Sequence, residues 1–144
     1  MDFKFYNKVS IRGFTSVFTI IDSKTRKLWV FPGPDKPPPI HKLNYFLTTL
    51  TKQNIVSLEI RVDEGGELAR STEFCKTLLN NAFHLQTTGG HHYLLNGKIE
   101  RPHQTIQKMF NAALLDSGHA KNKCCFACEA TAEIYNNILH SATK

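Results

Sequence analysis

Apolar positions follow two periods along the chain, alternate residues in some stretches and every third or fourth in others. These periods separate strands from helices. Residues 3–9 mix Phe, Tyr and Val with Lys and Asn and predict a strand. Arg12-Gly13 marks a turn. FTSVFTII at 14–21 and LWVF at 28–31 are rich in β-branched and aromatic residues and predict two further strands, linked by Ser23-Lys24-Thr25-Arg26. The first third therefore predicts a three-strand antiparallel meander, with Asp22 capping the turn between its second and third strands.

Proline changes the pattern next. PGPDKPPP, from Pro32 to Pro39, removes backbone donors and predicts a linker. Leu43, Phe46, Leu47 and Leu50 then recur at helical spacing and predict a helix over 40–53. IVSLEIRV at 55–62 predicts a strand ending just before Asp63, and Gly65-Gly66 breaks the chain after it. Ser71 or Thr72 caps a helix running to about 81, followed by a short strand over 83–87. GGHHYLL at 89–95 reads as a loop, and helices follow over 96–115 and 123–140. The order βββ-α-β-α-β-α-α has no internal repeat and no break, so residues 1–144 read as a single domain. It is an α/β domain, with a mixed sheet and helices on both faces.

Composition adds little to this. Of the 144 residues 41% are hydrophobic and 21% charged, as in an ordinary globular domain. The formal charge of +6 is compatible with a polyanionic partner. No run of apolar residues is long enough to cross a membrane, and MDFKFYNKVS has no long apolar signal region. The expected setting is therefore intracellular, with four free thiols.

The acids fall in places that matter for chemistry. Asp2 opens the first strand, Asp63 ends the fourth, and Glu100 lies near the start of the long helix. In a right-handed α/β arrangement the first and fourth strands are neighbours, and a helix laid across their ends brings Glu100 to both aspartates. Three converging carboxylates repel one another unless a cation compensates them. Hard oxygen donors suit two Mg²⁺ or Mn²⁺ ions and phosphoryl transfer. The same three acids also arise from ordinary surface placement in a chain with 12 acidic residues.

Four segments resemble the integrase core of copia-type LTR retrotransposons. Val62-Asp63-Glu64-Gly65-Gly66-Glu67-Leu68 resembles that family's SDNGGEF segment around its second catalytic aspartate. Asn96-Gly97-Lys98-Ile99-Glu100-Arg101 resembles its NGxxER segment around the catalytic glutamate. FTIIDSKTRKLWVFP at 18–32 resembles its strand pair, and Asp2 stands about as far ahead of Asp22 as the family's first catalytic aspartate does. Phe126 to Lys144 resembles its terminal helix. The resemblance implies an RNase H-like fold with a five-stranded mixed sheet, and catalytic and metal-binding roles for Asp2, Asp63 and Glu100. It implies 3′-end processing and strand transfer of element DNA into target DNA, within a nuclear or cytoplasmic particle, by a homodimer or higher oligomer.

The chain departs from that pattern at Glu64, where the family usually has Asn, and at GGHHYLLNG, which replaces the loop before the glutamate. The family's zinc-binding module and basic C-terminal region are not in the sequence, which fits an excised core or a decayed copy. On the helix after Asn96, Lys98, Arg101, Gln104 and Lys108 recur at helical spacing. Together with His92 and Asn96 they are candidate DNA contacts or, alternatively, solvated positions. Cys124, Cys125 and Cys128 with His119 crowd into one short stretch without a second ligand pair, so they read as core residues ahead of a zinc site. Two other functions stay open: a nuclease that hydrolyses without joining, and a non-catalytic module kept for dimerisation or nucleic-acid binding.

Overall fold

In a computed structural model of the chain, β1 (Asp2–Phe5), β2 (Ser16–Ile21) and β3 (Leu28–Gly33) form an antiparallel sheet in the order β1-β2-β3. The structure describes residues 1–5, 9–34, 40–52, 59–63, 67–88, 93–116, 118 and 123–138; of residues 2–5, 63, 67, 88 and 93–103 it describes the backbone alone. After α1 (Ile40–Lys52) come β4 (Glu59–Asp63), α2 (Glu67–Arg70), α3 (Thr72–Asn80) and β5 (His84–Thr88). The long α4 (Tyr93–Asp116) and α5 (Cys124–Asn137) complete the chain.

Alternation along the strands decides what packs where. Phe18 and Ile20 of β2 pair in register with Phe31 and Trp29 of β3 and point to one side. There they join Leu43, Phe46 and Leu47 of α1, Phe74 and Leu78 of α3, and Ile60 and Val62 of β4 in the main core. Trp29 and Phe31 both meet Phe46 edge-on, with ring centroids 5.0 and 6.2 Å away. Leu28, Ile21 and Val30 point to the opposite side and pack against Ala132 and Tyr135 of α5 and Ile106 and Met109 of α4. Burying a large apolar side chain in this way contributes about 1.5–3 kcal/mol, so the residues that alternate across β2 and β3 fix which helices take which side.

The expected five-stranded mixed sheet of RNase H-like type is not formed. Among the described residues the strands make two sheets, one of three antiparallel strands and one in which β4 and β5 run parallel. The physical reason is local. Over its described residues, Asp2–Phe5, β1 forms its ladder with β2. It meets β4 through a hydrogen bond from the Met1 amino group to the Arg61 carbonyl, 2.6 Å, and not through a paired ladder.

The remaining differences are at element ends. The strand expected over 3–9 is seen as Asp2–Phe5, with 6–8 outside the described residues, and the one expected from 14 begins at Ser16. The strand expected over 55–62 is seen as Glu59–Asp63, with 53–58 outside the described residues. Helix α2 was not anticipated, and α4 starts at Tyr93, inside the stretch expected to be a loop. β3 runs on through Pro32 and Gly33, where a linker was expected. Proline is tolerated there because β3 is an edge strand and its missing N–H faces outward. The Pro32 carbonyl accepts a hydrogen bond from Lys42 Nζ at 3.1 Å. At the other end of that edge, Asn136 of α5 accepts from Leu28 N at 2.7 Å and donates to Leu28 O at 2.8 Å. The edge is thus occupied at both ends, which protects it against pairing with another chain.

Two turns follow standard chemistry. The Asp22 carboxylate accepts hydrogen bonds from the backbone N–H groups of Lys24 and Thr25 and from the Thr25 hydroxyl. Partial burial pushes this carboxyl up, but the Thr25 and Lys24 hydrogen bonds and the Lys24 charge outweigh it and hold the group below its ordinary value. Helix α3 is capped by Ser71, whose hydroxyl accepts from Phe74 N. It ends with Phe83 N on Leu78 O and Ala82 N on Leu79 O, the paired bonds of a Schellman motif. Ala82 holds φ +60 there, a position that favours glycine.

Candidate functional site

The bond from Met1 N to Arg61 O fixes where the first two candidate acids lie. Asp2 follows Met1 directly, as the first residue of β1 opposite Thr19, and Asp63 ends β4 two residues after Arg61, opposite Thr88. Trans peptide geometry then keeps the Asp2 and Asp63 Cα atoms within about 15 Å of each other.

Register also gives the side. In β4, Ile60 and Val62 enter the main core, so positions 59, 61 and 63 fall on the other side. In β1, position 2 pairs with Thr19, which alternates with the core residues Phe18 and Ile20. Positions 2 and 63 therefore both lie away from the main core, whereas Ile106 and Met109 of α4 pack against Leu28, Ile21 and Val30 of β2 and β3. Glu100 belongs to α4, six positions before Ile106, about 9 Å along the axis. Two residues later Pro102 has no N–H to give residue 98, which interrupts the helix ladder beside Glu100. The side chains of Asp2, Asp63 and Glu100 lie outside the described residues, as do Glu64, Gly65 and Gly66.

The candidate DNA contacts divide in the same way. Gln104 and Lys108 are exposed on α4, turned from Ile106 and Met109, and positions 100 and 101 share their stripe by helical spacing. His91 and His92 and the side chains of Asn96, Lys98 and Arg101 lie outside the described residues.

Sequence reasoning passed over the polar side of the parallel pair. There Glu59 stands opposite His84 and Arg61 opposite Gln86. Arg61 Nε donates to Gln86 Oε1 at 2.5 Å, and Arg61 Nη2 lies 3.8 Å from Glu59 Oε2. The available signal was parity: in a strand, residue 61 shares a side with Asp63.

Elsewhere the structure favours packing over chemistry. Cys124, Cys125 and Cys128 are buried free thiols of α5. Burial, together with the neighbouring Cys125, pushes the Cys124 thiol up, which disfavours the thiolate needed to bind a metal. Among the described residues no three His, Cys, Asp or Glu side chains gather as a metal site, and His119 lies outside them. A shallow cleft of about 560 Å³ opens over the β3 edge, lined by Val30, Phe31, His41, Lys42, Tyr45 and Glu129. Its carboxylate is already held, since Arg12 bonds both Glu129 oxygens at 2.8 and 3.1 Å and lies 4.1 Å from the Phe126 ring centroid. No helix among the described residues is long and apolar enough to cross a membrane.

No family model matches the chain, and no curated protein matches it significantly.

Proposed function

We propose that this chain is a metal-dependent polynucleotidyl transferase core of the integrase kind, with Asp2, Asp63 and Glu100 as its catalytic and metal-binding acids. The observation that carries this reading is the junction of β1 with β4. It supports the reading because Asp2 and Asp63 flank the Met1–Arg61 contact and both positions lie away from the main core. A donor set made only of carboxylates fits hard divalent cations and not Zn²⁺ or copper. When bound, a pair of Mg²⁺ or Mn²⁺ ions supplies charge stabilisation to the attacking and leaving oxygens of a phosphodiester.

The chain's own residues bind and orient. The two aspartates stand on paired strands, and Glu100 enters this reading through its NGxxER-like segment, since position 100 lies on the α4 stripe turned from Ile106 and Met109. Gln104 and Lys108 lie on the open stripe of that helix, where a DNA strand leaving the acids would run. Contacts of this kind position the backbone without reading sequence. The substrates in this reading are element DNA ends and target DNA. Ile134 of α5 and Ile138 just after it leave apolar surface exposed, which is compatible with a homodimer or higher oligomer.

The test is an assay with labelled donor duplex and target plasmid in Mn²⁺. Joined product from the native chain, lost by roughly a hundredfold or more in Asp63→Asn and Glu100→Gln, is the expected result. Cleaved but unjoined donor would instead identify a nuclease. Absence of both products would identify a non-catalytic module.

A further inference from the structure

We propose that Arg61, oriented by Gln86, binds a DNA phosphate next to the one held at the carboxylates. This rests on the polynucleotidyl transferase reading and adds a substrate contact to the same site. Arg61 sits two positions before Asp63 in an extended strand, on the same side, so the two backbone positions are about 7 Å apart along β4. That side is open: Arg61 is 39% exposed, and its cross-strand neighbours His84 and Gln86 are exposed as well.

The guanidinium is not left to wander. Its Nε is taken by the Gln86 side chain across the pair of strands, which fixes the plane of the fork. Arginine held in this manner presents its terminal N–H groups to an oxyanion with less loss of rotamer entropy on binding. Glu59 is the competing carboxylate, but at 3.8 Å and 63% exposure it forms a weak pair that a phosphate can displace. An ordinary solvated arginine would need no cross-strand amide on its Nε. A structural ion pair would put its strongest contact on Glu59.

The experiment measures affinity of the full chain for a fluorescein-labelled short DNA duplex across a NaCl series. Arg61→Gln should weaken binding roughly tenfold and reduce the log–log salt slope by about 0.9, the loss of one phosphate contact. Gln86→Ala keeps the charge, so it should weaken binding several-fold with the slope retained. Lys76→Gln, an equal loss of charge on the exposed face of α3 across the main core, is the control and should leave the slope unchanged. Melting temperatures of all variants are compared with the native chain. A slope that is the same in Arg61→Gln as in the native chain, or that falls equally in Lys76→Gln, overturns the contact. A normal affinity in Gln86→Ala overturns the orienting role. If the native chain itself shows no salt-dependent DNA binding, the transferase reading fails together with the contact.

Discussion

At the scale of single residues, burial is unfavourable at Thr131 and backbone conformation at Ala82. Thr131 is 1% exposed, and its hydroxyl has no hydrogen-bond partner among the described residues. Ala82 occupies the left-handed C-terminal position of α3 with its side chain in solvent. An L-residue in that region costs roughly 1–2 kcal/mol, partly offset by the greater chain entropy of glycine. Ala82→Gly should therefore raise stability by roughly 0.5–1 kcal/mol. Urea unfolding reads this as a higher midpoint with an unchanged slope. A lower midpoint would show that the strain at Ala82 is absent. Residue chemistry was legible where it acts locally: Asp22 caps its turn and Ser71 its helix, as their neighbours in sequence dictate. The Arg61–Gln86 pair was not legible, because it depends on register between strands 25 residues apart.

Elements show the same division between local and distant causes. The strands β2 and β3 and the helices α1 and α3 follow from apolar periodicity alone, since their inward residues repeat at the strand or helix spacing. The extent of β3 did not follow from proline content, because an edge strand accepts Pro32 that an inner strand would reject. Whether β3 lies at an edge depends on the whole sheet. Asn136 is the device that makes this edge safe, and its loss belongs to the element and not to one contact. Asn136→Ala leaves the Leu28 N–H and C=O without their partner and should cost about 1–2 kcal/mol. Asn136→Asp should cost no less, as it keeps the acceptor for Leu28 N but turns a carboxylate towards Leu28 O. Thermal unfolding of the two variants checks this. A native-like melting temperature for Asn136→Ala would mean that water replaces the amide at no cost.

On the scale of the whole molecule, an α/β chain with strands and helices in the expected order was legible, and the five-stranded sheet was not. Sequence pattern specifies strands, while sheet membership depends on backbone bonds between distant segments. Here β1 pairs with β2 and touches β4 at Met1 and Arg61. The candidate acids rest on their motifs and on their places along the chain, and the structure describes the backbone of Asp2 and Asp63 on either side of the Met1–Arg61 contact. The central claim is that those two residues and Glu100 hold divalent cations together. A ligand that binds the folded state alone adds about 2.7 kcal/mol of stability at a hundred times its dissociation constant, which is several degrees of melting temperature. The most direct measurement is the melting temperature of the native chain, Asp63→Asn and Glu100→Gln with and without Mn²⁺. A rise of several degrees in the native chain, absent from both variants, is the predicted result. No rise, or an equal rise in all three proteins, would contradict the account.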